Sequence, residues 1–124
     1  SQVVRQAEGA IWEGRCQAAH DLLYPLADQG YADAQSALGM MYEYCKGKID
    51  QTQKVRWYLR AANQGHVDAQ LSLGWSYDSG KGVAQSSEQA FKWYAQAAAQ
   101  GDVFAQRMVS MSRRTQENKK NNPY

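Results

Sequence analysis

A spacing of 35 to 36 residues constrains this chain more than any other feature. Gly30, Gly65 and Gly101 each follow a glutamine and are separated by 35 and 36 residues. After them come "YADAQSALGMMYEY", "HVDAQLSLGWSYDS" and the weaker "DVFAQRMVSMSRRT". Before the second and third glycines stand "VRWYLRAANQG" and "FKWYAQAAAQG". The first copy, "AHDLLYPLADQG", has Leu22 and Leu23 in place of Trp-Tyr, and "EGAIWE" at 8–13 echoes "LGMMYE" at 38–43. Self-similarity at such a period predicts stacked supersecondary units, each unable to bury its apolar face alone.

Each unit reads as two helices. Ala34, Leu38, Met41 and Tyr42 recur at three- and four-residue steps, the mark of one buried helical stripe. Ala90, Tyr94 and Ala97 do the same in the second helix. Gly39 and Gly74 interrupt the first stripe at a cost of about 1 kcal/mol each relative to alanine, so their repetition points to close helix packing. The Gln-Gly pairs read as helix ends, because glycine accepts the left-handed conformation found there. The spacing predicts helices over 2–13, 15–28, 32–45, 52–63, 67–79, 86–99 and 103–114.

Composition narrows the function classes. The 124 residues suit one domain, and 14 basic against 12 acidic residues leave a net charge of +2. That balance does not call for nucleic acid. The excess sits in "SRRTQENKKNNPY", a basic tail with Arg113, Arg114, Lys119 and Lys120 but no interleaved aromatics, which supports weak nonspecific contact at most. No run reaches the 18 or so apolar residues of a membrane helix, so no membrane insertion is expected. The "SGKG" at 79–82 is not a phosphate loop. It lacks the Gly-Lys-Ser/Thr ending and is entered from a helix rather than a strand.

With these residues laid out, the chain resembles the Sel-one-like repeat family, relatives of the tetratricopeptide repeats. The shared pattern is Ala-Gln, two residues, Leu-Gly, two residues, Tyr; then an interhelical Gly-x-Gly-Val, a Trp-Tyr pair, Ala-Ala and Gln-Gly. Residues 65–101 carry it nearly throughout: Ala69, Gln70, Leu73, Gly74, Tyr77, Gly80, Gly82, Val83, Ala90, Trp93, Tyr94, Ala97, Ala98, Gln100 and Gly101. Residues 30–65 depart at Cys45, for the first loop glycine, and at Lys54, for the small alanine. The last copy is eroded, with Val109, Ser110 and Arg113 where the pattern has Leu, Gly and Tyr.

The resemblance implies an all-α, right-handed αα superhelix (solenoid) of about three and a half helix pairs. The expected copies lie near 1–29, 30–64, 65–100 and a partial 101–114, with the solenoid over 1–111 and a disordered basic tail over 115–124. It also implies a non-enzymatic protein-binding role, frequently in bacterial envelope processes, as an assembly factor or an effector-neutralising immunity protein. The expected location is periplasmic or secreted, with the cytoplasm as the alternative, and the expected state a monomer or weak dimer. Tyr42, Tyr77, Trp57, Tyr58, Trp93 and Tyr94 belong to the repeat and are expected to pack between helices.

Function is then sought in residues outside the repeat that face the concave side. In related helical repeats those lie one and four residues after the Leu-Gly glycine, and three and six before it. These offsets pick out Met40, Glu43 and adjacent Tyr44, with Asp33 and Ser36; then Trp75, Asp78, Leu71 and Asp68; then Phe104, Arg107, Met111 and Arg114. The first unit adds Val3, Gln6, Ala10 and Glu13. Met40, Tyr44, Leu71, Trp75, Phe104 and Met111 would form an apolar strip rimmed by charge, the usual mark of a partner surface. Glu43 and Asp78 would favour a basic partner, and Arg107 would close the groove. In the competing reading terminal residues or the tail cover the strip, or the helical phase is off by one.

Cys16 opens a second helix and Cys45 closes the next first helix, which places both on one edge of the stack. In an exported chain they are expected to pair, contributing roughly 3.6 kcal/mol for a loop of about 30 residues; in a reducing compartment they remain buried thiols. His20 and His66 have no helically spaced partner, so no metal or cofactor is expected. The reading from another class is a hydrolase of glycoside or cell-wall type using Glu43 and Asp78 as paired carboxylates.

Overall fold

The computed structural model describes residues 1–121. Seven helices follow in order: α1 (Gln2–Trp12), α2 (Cys16–Asp28), α3 (Ala32–Tyr44), α4 (Gln51–Asn63), α5 (Val67–Ser79), α6 (Ser87–Ala99) and α7 (Val103–Asn121). There is no strand among the described residues. Each helix packs on the next along the chain, giving three helical hairpins and a seventh helix, the expected solenoid of helix pairs.

Local chemistry sets the boundaries. Ser1, Asp50 and Ser86 cap α1, α4 and α6 by accepting backbone N–H groups at 3.1–3.2 Å, as short oxygen-bearing side chains do at N-caps. Six helices fall within one residue of the spans drawn from the sequence. The seventh does not. It continues to Asn121, so the disorder expected from 115 is helix as far as the description reaches, and residues 122–124 lie outside it. No Gly or Pro interrupts α7, its later residues are mostly good helix formers, and Lys119 and Lys120 suit the negative end of the helix dipole.

Between neighbouring helices the repeat residues carry the packing. A methyl group added at Gly39 would come within 2.7 Å of the Tyr58 ring, and one at Gly74 within 2.5 Å of the Tyr94 ring. The helix-interior glycines therefore exist to seat the tyrosines of the following helix, both of them buried.

The glutamines stitch successive units together. Gln64 Nε2 donates to Gly30 O and to Gln35 Oε1, both at 2.9 Å. One unit later Gln100 Nε2 donates to Gly65 O at 2.9 Å and Gln70 Oε1 at 3.0 Å. Gln35 and Gln70 are themselves buried and donate to Ala27 O and Ala62 O. Both of these buried amides thus find partners, which is what burial of a polar group demands.

At the first edge the sulfurs of Cys16 and Cys45 are bonded, with Cα atoms 5.8 Å apart. The disulfide ties the start of α2 to the residue that ends α3.

Candidate functional site

The first helices of the units line a cleft of about 1000 Å³, completed by the first turn of α4 and the loop after α5. It gathers Met40, Glu43 and Tyr44 from α3, and Leu71 and Trp75 from α5, all singled out from the sequence. Trp75 is 44% exposed and Tyr44 54% exposed. Trp12 extends this apolar lip, its ring 5.4 Å from that of Tyr44. Asp33 and Asp68, at the other predicted offsets, also line the cleft, as does Ser36. His66 Nδ1 accepts the Ala69 N–H, which leaves Nε2 to donate to Asp33 Oδ1 at 3.1 Å and join α3 to α5.

The remaining predicted residues are elsewhere. Asp78 and Met111 line a second cleft of about 810 Å³, together with Phe91, Tyr94 and Met108. Phe104 and Arg107 line neither cleft; Phe104 lies edge-on to Tyr94 at 6.1 Å, and Arg107 is exposed. The single trough is two clefts, Asp78 lining the second beside Tyr94 rather than the first beside Glu43. No residue after Lys81 lines the first cleft, so the described part of the tail does not cover it.

The phase in α1 also differs from the expectation. Val4, Arg5 and Glu8 face the cleft, whereas Ala10 is buried and Val3, Gln6 and Glu13 do not line it. No side chain packs over Gly9 as Tyr58 packs over Gly39, so the register read from "EGAIWE" does not transfer.

The charges of the cleft are mixed: Glu8, Asp33, Glu43 and Asp68 line it along with Arg5, Lys54 and Lys81. Glu43 is not a free rim charge: its Oε2 accepts the Tyr58 hydroxyl at 2.6 Å. Burial, with this bond second, holds the Tyr58 hydroxyl far above its ordinary range. Burial and the nearby Asp78 carboxylate push Tyr94 up to about 12. The charges that converge on the cleft's tryptophan are positive. Lys54 Nζ lies 5.5 Å from the centre of the Trp75 ring, and Lys81 Nζ lies 5.0 Å from it, within cation–π range. Lys54 is only 1% exposed, and burial draws its ammonium below the usual lysine range.

These two lysines were not picked out as site residues from the sequence. The signal was present in one of them, since Lys54 replaces the small alanine of the repeat. Lys81 owes its place to Gly82, whose φ of +83° brings the loop against the Gln51 carbonyl and the Val55 side chain, where a Cβ would collide.

Family comparison accords with this architecture. The description "Sel1 repeat" matches residues 32–66 and 67–102, more than half of the chain. The chain belongs to the Sel1 repeat family. Such repeats are typically non-catalytic protein-interaction scaffolds. Among solved structures, a Sel1 repeat protein from Oxalobacter formigenes is 30% identical with a TM-score of 0.69, the match covering 89% of this chain and 98% of that one. The c5321 protein, a protective antigen present in uropathogenic Escherichia coli strains, is 37% identical with a TM-score of 0.68 over 71% of this chain. The match spans only 19% of c5321. Helicobacter pylori cysteine rich protein B shares the fold at 22% identity, with a TM-score of 0.67, over 84% of this chain and 90% of that one. No curated protein sequence matches the chain.

Among the described residues no helix is long and apolar enough to cross a membrane, and no group of three or more His, Cys, Asp or Glu residues could hold a metal. The carboxylate pair of the hydrolase reading is not assembled, since Glu43 and Asp78 line different clefts.

Proposed function

We propose that this Sel1 repeat protein is a non-catalytic adaptor that takes an extended segment of a partner protein into the cleft over α1, α3 and α5, with Trp75 as the central anchor. The observation that carries the reading is the exposure of Trp75 and Tyr44 in a chain whose repeat aromatics Trp57, Tyr58, Trp93 and Tyr94 are buried and whose Tyr42 and Tyr77 are half-buried. Large rigid aromatics left open beside half-buried Met40 and Leu71 are typical of interface hot spots. The Cys16–Cys45 bond supports action in an oxidising compartment, the periplasm or outside the cell. Envelope assembly and neutralisation of a secreted effector are the roles that suit such a place.

A pull-down from native envelope extract tests the reading when run with the wild type and with Trp75→Ala. The partner should be lost from the variant while its melting temperature stays within a few degrees. Retention of the partner by the variant would refute the anchor, and retention with a large loss of stability would show that Trp75 serves cohesion instead.

A further inference from the structure

Lys54 is the anomaly of the cleft. It is a cation with 1% exposure, and among the described residues neither it nor Lys81 forms an ion pair. A buried charge is ordinarily paired. Glu43, whose charge acts on Lys54, accepts the Tyr58 hydroxyl and forms no ion pair with the lysine. The position tolerates a small apolar residue, because Ala90 fills it in the next unit. A second cation converges on the same spot: Lys81 lies over the same Trp75 ring, beside the seat at Gly82.

We propose that Lys54 and Lys81 form a receptor for one acidic side chain of the partner, an Asp or Glu laid against the edge of Trp75 and flanked by an apolar residue over Met40 and Leu71. This deepens the adaptor reading and rests on it. Both ammonium groups lie within 5.5 Å of one ring centre and near enough to each other for Lys81 to disfavour the charged form of Lys54, so a carboxylate at the ring edge is attracted by both. Charge-assisted bonds of that kind are the strong ones in a partly desolvated site. The recessed position of Lys54 favours a side chain projecting from a continuing backbone over a chain terminus. The buried lysine thereby selects against basic partners, the opposite of the preference expected from Glu43 and Asp78.

The test is a positional-scanning library of N-acetylated, C-terminally amidated decapeptides, bound to the wild-type chain, Lys54→Met, Lys81→Ala and Trp75→Ala. Melting curves confirm that each variant is folded, and the exposed Lys81 keeps the test informative if Lys54→Met is not. The wild type should prefer Asp or Glu to Asn or Gln at one position by about tenfold. That preference should fall to near unity in Lys54→Met and weaken in Lys81→Ala. Peptides that bind through Trp75 without an acidic preference, or whose preference survives in both lysine variants, would overturn the receptor and leave the adaptor cleft standing. An acidic preference seen only with free-acid C-termini would also overturn it, by showing a terminal carboxylate. Binding unaffected by Trp75→Ala would overturn the cleft itself.

Discussion

The second and third repeat units, 30–64 and 65–100, are built on one plan yet differ where chemistry enters. Both seat a tyrosine against a helix-interior glycine, and both close with the same glutamine bonds. The third keeps a small alanine at position 90. The second places Lys54 there and replaces a loop glycine by Cys45. In the second, Tyr58 donates to Glu43 at 2.6 Å; in the third, Tyr94 has the shorter Asp78 beside it. The repeat supplies cohesion, and its departures supply a disulfide and a charged cleft. Stability in such a stack is local, the sum of units and the interfaces between neighbours.

Reduction of the disulfide should separate the two units most strongly. Cys16→Ser with Cys45→Ser is expected to cost roughly 3.6 kcal/mol in the chain-entropy model. Hydrogen exchange should speed up in α1 to α3 far more than in α5 and α6; uniform acceleration would mean the stack melts as one body. Next come the glycines. Gly39→Ala and Gly74→Ala should each lose about 1–3 kcal/mol by crowding a buried tyrosine, despite the better helix propensity of alanine. Denaturant midpoints unchanged in either would show that the rings give way.

Third is the pair of hydroxyls. Tyr58→Phe should cost about 1–2 kcal/mol through loss of a bond to a charged acceptor, and Tyr94→Phe less. Equal costs would erase the difference drawn between Glu43 and Asp78. Smallest and opposite in sign, Lys54→Met should stabilise the chain by about 1 kcal/mol at neutral pH, since it removes an unpaired buried charge. Burial lowers the Lys54 pKa in the folded chain, so the cost of the charged form is present in full at neutral pH. It fades as pH rises toward the ordinary lysine value of 10.5. The advantage of Lys54→Met in thermal melts should shrink over that range.

Much of the fold was legible in the sequence because periodicity and glycine placement are local signals. The stripe at Ala34, Leu38 and Met41 is fully buried, and six helices fall where the spacing put them. Helix α7 escaped because basic, polar residues read as a solvated tail yet carry no helix stop. The cleft was legible for Met40, Tyr44, Leu71 and Trp75, where a strong repeat fixes the helical phase. It failed for α1, where no tyrosine is seated at Gly9. The two cations at Trp75 were not legible, because they reach it from α4 and from the loop after α5. Offsets along one helix do not report such a contact.

Chemical-shift mapping of a library-selected decapeptide on the isotope-labelled chain tests the central claim most directly. The Trp75 indole N–H and the Met40 methyl should move most, with the Lys54 side chain following. Shifts concentrated at Phe91 and Met111, or on the opposite face at Tyr24 and Trp57, would place the partner elsewhere and refute the account.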